Sequence, residues 1–521
     1  MIDFEYVNPA RIIFGEKPYG KVAEMLKKLS VKSLMMVYSG DFVKTLGIFQ
    51  EIESICKEND IRFVENGNVV PNPKVELVRE LVELGRENNT DFVLAVGGGS
   101  SVDTAKAVAM GIPYDGDVWD FFEGKATLDE ALPIGVISTI PASGSETSNA
   151  AIISSGLNKL GYEDEKIIPQ FAVMNPHYTK TLPLYQSACG ISDILSHLLE
   201  RYYTNTEYVD TTDYLIEGAA KALMLNGERI MTNPENYNAR AEVQWLASIA
   251  HNNLLDTGRA SDWASHRIEH ELSAQYGIVH GEGMAVVMLA YLRYVAEKHP
   301  KKTAQLANRL FDVDYSNYTE KEMTLKLANN LEAFYKMLGL KTTLTEMNID
   351  ETHFEEMALR ATKDDTAPVG HYYPLDKEKF IEDLDHICHD ISTSKRVVII
   401  GALYPISIAV EFQTDLITFG KPVFQYHSFD TQLDLNKDDY VIFVSATGRA
   451  YDAFMNDHQD FDINRSQFLL ITQNKKYKSQ IGDERVIYVA SSRHDSIDFN
   501  YRLMTIFDIM RVTYYKKYHF I

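Results

Sequence analysis

One carboxylate and four imidazoles are the side chains of this chain best suited to bind a metal. Asp193 and His197 are four residues apart in a segment with helical periodicity, so both project from one helical face. His266, His270 and His280 fall within fifteen positions of one another, and the first two are again four residues apart. A carboxylate with three imidazoles suits a first-row divalent cation such as Fe2+ or Zn2+. The spacing predicts a metal site but does not choose three histidines from the four.

A cluster of three glycines follows a short apolar run that predicts a buried strand. Gly97, Gly98 and Gly99 come directly after Val96, and a helix is predicted to begin near Ser100. Glycines let the backbone approach a bulky anion, and the amides and dipole of the following helix favour phosphate. The pattern is neither GxGxxG nor the Walker motif, and alone it is typical of a tight turn. Beside a metal site it predicts a cradle for a dinucleotide pyrophosphate.

Separate segments of residues 1–385 resemble the iron-containing alcohol dehydrogenases, in particular their butanol dehydrogenase-like branch. The matching segments are FEYVNPARIIFGE, VVPNP, AVGGGSSVDTAK, TIPASGSETSNAA and FAVMNP followed by YTKTLP, together with the two segments that carry the histidines. The resemblance implies that the metal is held by Asp193, His197, His266 and His280. It also implies that His270 lies beside the nicotinamide and the substrate.

The resemblance implies an oxidoreductase that transfers a hydride between NAD(P)H and a short-chain aldehyde or primary alcohol. A bound dication draws the alcohol oxygen toward alkoxide or polarises the aldehyde carbonyl while the nicotinamide accepts or gives the hydride. His270 is the expected catalytic side chain. Two roles remain open for it, relay of the hydroxyl proton and a positional role near the nicotinamide.

The resemblance also implies the residues that bind the nicotinamide cofactor, which are Asn72, Gly98, Gly99, Ser100, Asp103, Thr139, Ser148, Lys159 and Leu182. In the family, the choice between NAD and NADP is set after the second strand, where an acid binds the ribose hydroxyls or small polar residues admit a phosphate. Gly40 stands where the NAD-preferring members carry their acid, Asp41 follows at once, and Phe42 replaces a small polar residue. The sequence leaves the choice open.

Length, composition and charge limit the classes of partner. A chain of 521 residues with 45% hydrophobic content corresponds to about three domains with large cores. Its net charge of -23 would repel nucleic acid and anionic lipid, so we expect neither a nucleic-acid nor a membrane partner. Three scattered cysteines and the lack of an export signal predict a cytoplasmic protein. We expect a homo-oligomer.

The order of strand and helix patterns predicts three domains. Residues 1–182 alternate strands and helices, which is typical of a Rossmann-like α/β domain that binds NAD(P). Residues 183–385 show long helical periodicities and predict an all-helical metal-binding domain. The glycine loop lies in the first and both metal segments in the second. The reaction is therefore expected in the cleft between them.

The third predicted domain, residues 390–521, carries a new α/β rhythm. It is similar to the sugar-isomerase (SIS) domain of sugar-phosphate-sensing regulators, which implies a three-layer α/β fold. Four runs predict strands, and they begin with RVVIIG, DYVIFV, QFLLIT and RVIYVA. The helices with which such regulators bind DNA are absent from the sequence, so no transcription factor is predicted.

The loops of this third domain depart from the SIS pattern. SATG at 445–448 stands in place of the serine-rich phosphate loop, and its Ser445 and Thr447 are able to donate to a phosphate. Leu403 and Pro405 replace the glycine and serine expected in the first loop. Binding of a sugar phosphate and a structural or oligomerisation role both remain open. The alternative function is therefore a sugar-phosphate-sensing regulatory or interaction protein.

Overall fold

The chain divides into two compact units, Met1–Asp376 and Lys377–Ile521. The computed structural model describes residues 1–349, 353–363, 367–375, 396–401, 412–413, 416–417, 421–427, 435, 439–457, 467–474, 476–481, 485–489, 503, 506–507, 510–511 and 514. In the first unit an α/β layer is followed by a bundle of helices. This sequence of layers confirms the α/β and helical parts of the predicted fold.

The α/β layer contains eight strands, which are β1 Arg11–Phe14, β2 Ser33–Tyr38, β3 Arg62–Asn66, β4 Phe92–Gly97, β5 Ile134–Ser138, β6 Ala150–Ser155, β7 Asn158–Glu163 and β8 Phe171–Met174. Six of them form a parallel sheet in the order β1-β8-β5-β4-β2-β3, and β6 and β7 form an antiparallel hairpin. Strands β2, β4, β5 and β8 are buried along their whole length. Continuous apolar runs of this kind are typical of parallel strands covered on both faces.

The helices of this layer are α1 Tyr19–Lys28, α2 Phe42–Thr45, α3 Ile48–Glu58, α4 Val75–Glu87, α5 Gly99–Gly111 and α6 Trp119–Phe122. Helix α4 is amphipathic and buries Val75, Val78 and Leu81 along one stripe. Helix α5 is buried on every side from Ser101 to Gly111 because it packs against the sheet, α4 and the β6–β7 hairpin. The glycine loop therefore enters a helix that has little freedom to move.

The helical bundle consists of α7 Leu184–Tyr202, α8 Asp210–Thr232, α9 Tyr237–His251, α10 Ala264–Tyr276, α11 His280–Lys298, α12 Lys301–Phe311, α13 Glu320–Met337 and α14 Phe354–Ala361. Helix α7 is its centre, since it packs against α8, α9 and α11 and is buried continuously from Ser187 to Tyr202. Its polar side chains are therefore held inside the protein. Among the described helices, none is long and apolar enough to cross a membrane.

The described strands of the second unit are β9 Arg396–Gly401, β10 Val423–His427, β11 Asp439–Val444, β12 Gln467–Thr472 and β13 Val486–Tyr488, with helices α15 Arg449–Asp457 and α16 Lys476–Ile481. They form a parallel sheet in the order β10-β9-β11-β12-β13. This order is that of a doubly wound fold with a switch point between β9 and β11. The sequence predicted four of these strands and missed β10. That strand lies at the sheet edge, and the polar Gln425 and His427 interrupt its apolar run.

Helices α7 and α11 approach so closely that one position between them requires glycine. A Cβ on Gly281 would lie 2.0 Å from the backbone carbonyl oxygen of Cys189. We expect Gly281→Ala to push the helices apart and to lower the free energy of unfolding by about 1 to 3 kcal/mol. Urea unfolding followed by circular dichroism measures the change.

Gly218 provides the matched control, because it is an exposed glycine inside α8 with open space around a Cβ. Gly218→Ala is expected to raise stability by about 1 kcal/mol through the helix propensity of alanine. Equal stability of the Gly281→Ala protein and the unsubstituted protein would contradict the close approach of the two helices.

Candidate metal and cofactor site

Three helices bring Asp193, His266 and His280 together. Asp193 lies in α7, His266 lies in α10, and His280 is the first residue of α11. Their ligand atoms all lie within 4.8 Å of one another. Asp193 Oδ1 is 3.4 Å from His280 Nε2 and 3.9 Å from His266 Nε2. One carboxylate oxygen therefore faces the same nitrogen of two imidazole rings, as in a set of ligands around one cation.

His197 joins this cluster from the next turn of α7. Its ring centroid lies 4.5 Å from that of His266. Its Nδ1–H donates to the backbone carbonyl of Asp193 at 2.9 Å, which leaves Nε2 free to act as a ligand. His197 is not one of the three residues whose ligand atoms lie within 4.8 Å of one another. Its place in the ligand set, like that of the other three, stays a prediction.

Two buried glutamates orient the rings of this cluster. His266 Nδ1–H donates to Glu200, and His280 Nδ1–H donates to Glu269. Both carboxylates are fully buried. A neutral ring with its proton on Nδ1 carries its lone pair on Nε2, the atom that faces Asp193. The glutamates therefore set the tautomer and orientation that metal binding through Nε2 requires.

The electrostatics of the cluster fit a divalent cation. Asp193 Oδ1 and His266 Nε2 are buried and have no hydrogen-bond partner. Burial favours a raised pKa for Asp193, yet His197 and His280 outweigh it and hold that pKa well below its usual range. Burial alone would lower the pKa of His280, but Glu269 and Asp193 raise it to about 9. The cluster thus attracts positive charge, which a metal ion can supply in place of protons.

His270 lies at the edge of the cluster, one turn beyond His266 in α10. Its ring centroid is 5.6 Å from that of His280 and 6.3 Å from that of His266. Burial and the charge of Lys159 lower its pKa well below the usual histidine range, so the ring is neutral near pH 7. A neutral imidazole in this position is able to accept a proton. The catalytic role of His270 stays a prediction.

The glycine loop joins β4 to α5. Gly97 has φ 151°, a backbone conformation that favours glycine, and Gly98 precedes the helix that begins at Gly99. A Cβ on Gly99 would lie 2.5 Å from Ser143 Oγ, so the loop runs close to the segment after β5. The amides of Gly99 and Ser100 have no helical carbonyl to bind. With the helix dipole, they favour a phosphate at this position.

Two members of the predicted cofactor set, Asp103 and Ser148, take part in buried hydrogen bonds between α5 and the segment that follows β5. Asp103 accepts a hydrogen bond from the Ser145 hydroxyl at 2.6 Å. The Ser148 hydroxyl accepts one from the buried Lys106 ammonium at 3.2 Å. Both side chains are buried and already bonded within the protein. Asp103 and Ser148 therefore stabilise the walls of the loop, whatever they contribute to a cofactor.

Three other members of this set lie in loops. Asn72 is half-buried in the turn before α4 and has a φ of 52°. Thr139 directly follows β5, its amide donates to the Gly97 carbonyl at 2.9 Å, and its buried hydroxyl has no partner. Leu182 is half-buried two residues before α7. Their contacts with a cofactor stay predictions.

Lys159 connects the predicted cofactor residues with the predicted metal ligands. It lies in β7, and its ammonium donates to the Ser273 hydroxyl at 2.8 Å. The same ammonium is 3.8 Å from Glu269 Oε2. Ser273 and Glu269 both belong to α10, the helix that carries His266. Lys159 therefore contacts the glutamate that orients the proposed ligand His280.

Three residues of this site were missed from the sequence. Glu200 is seven residues after Asp193, and Glu269 is three residues after His266, so each shares a helical face with a predicted ligand. That periodicity could have found both. His251, whose ring centroid lies 4.5 Å from that of His197, belongs to another helix. No spacing in the sequence links it to the site.

Two family models match the chain. The model described as "Iron-containing alcohol dehydrogenase" matches residues 9–176. The model described as "Fe-containing alcohol dehydrogenase family, C-terminal" matches residues 187–387. All predicted metal and cofactor residues except Leu182 lie within these two ranges.

Relatives and solved structures agree with the family models. The NADH-dependent butanol dehydrogenase A of Clostridium acetobutylicum is 34% identical over 385 residues, which are 73% of this chain and 98% of the relative. The NADPH-dependent aldehyde reductase YqhD of Escherichia coli is 32% identical over 67% of this chain and 90% of its own length. The crystal structure of NADH-dependent butanol dehydrogenase A from Thermotoga maritima has a TM-score of 0.69 and 33% identity, and covers 72% of this chain and 96% of its own.

Glu200 provides a test of the orienting glutamates. Since its carboxylate holds the His266 ring, we expect Glu200→Gln to weaken metal binding by about 10- to 100-fold while the protein stays folded. Metal content per chain, measured by atomic absorption after dialysis against graded chelator, gives the affinity. Glu146→Gln is the matched control, because Glu146 is a buried glutamate that accepts from Ser248. Equal metal affinities of the two variants would contradict the role of Glu200 in orienting the His266 ring.

Proposed function

The chain belongs to the iron-containing alcohol dehydrogenase family, and on that premise we propose that it transfers a hydride between NADH and a short-chain aldehyde. The reverse reaction oxidises a primary alcohol. The observation that carries the proposal is the convergence of Asp193, His266 and His280 beside the helix that Lys159 contacts. The named relatives, which include butanol dehydrogenases and an aldehyde reductase, support the substrate class.

The proposed metal ligands are Asp193, His197, His266 and His280. A divalent cation held by them supplies Lewis-acid polarisation of the substrate oxygen. The family name favours iron, and zinc accepts the same donor atoms. Glu200 and Glu269 keep the Nδ1 protons of two rings in place, so that Nε2 remains the donor atom. The burial of Asp193, His197 and His266 strengthens their electrostatic interactions, whereas the half-buried His280 lies on the open side of the cluster.

His270 is the proposed proton carrier between the substrate oxygen and solvent. Its ring is half-buried, so it reaches both the cluster and the surface. Lys159 and burial keep it neutral, which prepares it to accept the proton that an alcohol loses. Lys159 itself is held by Ser273 and Glu269 and acts as a fixed positive charge.

NADH is the proposed cofactor, and its nicotinamide supplies or accepts the hydride. Asp41 follows β2 closely, is exposed, and makes no capping hydrogen bond with α2. A carboxylate at this position can accept from ribose hydroxyls and repels the additional phosphate of NADPH. We therefore expect higher activity with NADH than with NADPH.

The roles of the histidines can be separated by substitution. We expect His266→Ala and His280→Ala to lose the metal, because each removes a donor atom. His270→Ala is expected to keep the metal and to lose about 10²- to 10⁴-fold in rate, as for removal of a proton carrier. Metal analysis and the consumption of NADH or NADPH with butanal measure both effects. His353→Ala, at a surface histidine paired with Glu356, is the control. Equal metal content and activity in all variants would contradict the assignment.

We further propose that the second unit has a SIS-like fold and serves as an accessory module. The strand order β10-β9-β11-β12-β13 supports a doubly wound fold, and SATG leads from β11 into α15. However, the Ser445 hydroxyl accepts from the Ala450 amide at 3.1 Å, and the Thr447 hydroxyl accepts from the Arg449 amide at 3.4 Å. The first amides of α15 are thus already bonded. Leu403 and Pro405 lie outside the described residues.

This capping leads to a prediction for the full chain. Because the amides that would bind a phosphate already have partners, we expect millimolar glucose 6-phosphate or fructose 6-phosphate to leave the rate of butanal reduction and the thermal midpoint unchanged. Inorganic phosphate at equal ionic strength is the control. A shift caused by the sugar phosphates alone would favour the sensing function over an accessory structural role.

A further inference from the structure

A further, half-buried histidine lies between the metal cluster and the glycine loop. His251 is the last residue of α9, and its ring centroid is 4.5 Å from that of His197, with an angle of 32° between the rings. On its other side, the His251 Nδ1–H donates to the backbone carbonyl of Ser143 at 2.5 Å. One imidazole therefore contacts both a proposed metal ligand and the segment that follows β5.

That segment is in turn packed against the glycine loop. A Cβ on Gly99 would lie 2.5 Å from Ser143 Oγ. Gly144 has φ 64°, and a Cβ there would lie 2.3 Å from the Ala247 carbonyl oxygen and 2.8 Å from His251 Cβ. Ser143 and Gly144 are therefore held between the glycine loop and the end of α9. A displacement of the loop must be passed to His251, because close-packed groups of this kind transmit strain.

The contact between His251 and His197 is a packing contact between two rings, since their centroids are 4.5 Å apart. The Nδ1–H of His197 is itself bound to the Asp193 carbonyl. With these two contacts, the orientation of His197 depends on where His251 lies.

We propose that His251 is a positioning residue that couples occupancy of the nicotinamide-cofactor site to metal binding. The proposal rests on the proposed function. A cofactor phosphate on the glycine loop holds Ser143, Ser143 holds His251 by its hydrogen bond, and His251 holds the ring of His197. Coupling of this kind is reciprocal, so the metal tightens NADH binding by the same factor by which NADH tightens metal binding.

Two substitutions separate the two contacts of His251. His251→Phe keeps a ring against His197 but cannot donate to Ser143. His251→Asn keeps an N–H near the position of the imidazole Nδ1–H but has no ring. Since the coupling requires both contacts, each variant is expected to lose it. His177→Phe is the matched control, because His177 is a surface histidine whose ring contacts Tyr237.

The experiment compares the NADH dissociation constant of chelator-treated full-length protein with that of protein loaded with one equivalent of Zn2+, measured by NADH fluorescence. In the unsubstituted protein and in His177→Phe, we expect Zn2+ to tighten NADH binding by about fivefold or more. In both His251 variants, the ratio of the NADH dissociation constant without Zn2+ to that with Zn2+ is expected to fall to about 1 while Zn2+ still binds. Zinc affinity with and without NADH, from chelator competition, must give the same ratios.

Several outcomes would overturn the proposal. A ratio of about 1 in the unsubstituted protein would show that the two sites are not coupled. The full ratio in either His251 variant would show that one of its two contacts is dispensable. If the larger phenylalanine prevents folding, the smaller His251→Asn protein carries the test alone. Failure of the proposed function looks different, since the protein would then bind NADH and Zn2+ but reduce no short-chain aldehyde.

Discussion

The burial of three carboxylates in one helical bundle is the constraint on which the site depends. Asp193, Glu200 and Glu269 are each less than a tenth exposed. A carboxylate in such surroundings costs free energy unless hydrogen bonds or positive charge compensate it. Imidazoles supply the hydrogen bonds to the two glutamates, but Asp193 Oδ1 is left without one. A cation bound between this oxygen and the histidine nitrogens, as proposed above, would complete the compensation.

Small residues set the distances that this arrangement needs. Besides the contact of Gly281 with α7, a Cβ on Gly190 would lie 2.3 Å from the Pro141 carbonyl oxygen, and one on Gly283 would lie 2.8 Å from Glu269 Oε1. Glycine therefore lets the loop after β5 reach α7 and lets α11 reach the Glu269 carboxylate. Larger side chains at these positions would move whole helices, and with them the proposed ligands, because a helix shifts as a rigid element.

The two parallel sheets of the chain contain the same strand–loop–helix connection, but the amides at the start of the helix are bonded differently. In each, a buried strand leads through a loop of small residues into a helix, at Gly97–Gly99 in the first unit and at 445–448 in the second. The glycines of the first loop have no side chains with which to bond the following amides. In the second loop, Ser445 and Thr447 bond those amides themselves. The chemistry open to each helix end therefore depends on the loop side chains as much as on the topology.

The amino-acid sequence was enough to predict those features that depend on neighbours along the chain. Residues four apart share a helical face, so Asp193 with His197 and His266 with His270 could be paired without a structure. An apolar run before three glycines likewise predicted the turn into α5. The strand β10 was missed because the polar Gln425 and His427 interrupt its apolar run.

Which of these groups meet, and through which atoms, depends on the packing of helices and loops that are distant in the sequence. Lys159 and Ser273 are 114 residues apart, and His251 and Ser143 are 108 apart, yet each pair is joined by a hydrogen bond. The choice of Nε2 as the free imidazole nitrogen likewise follows from Glu200, which lies 66 residues before His266. Contacts of this kind leave no periodic trace in the sequence, because they depend on how separate helices and loops pack in space.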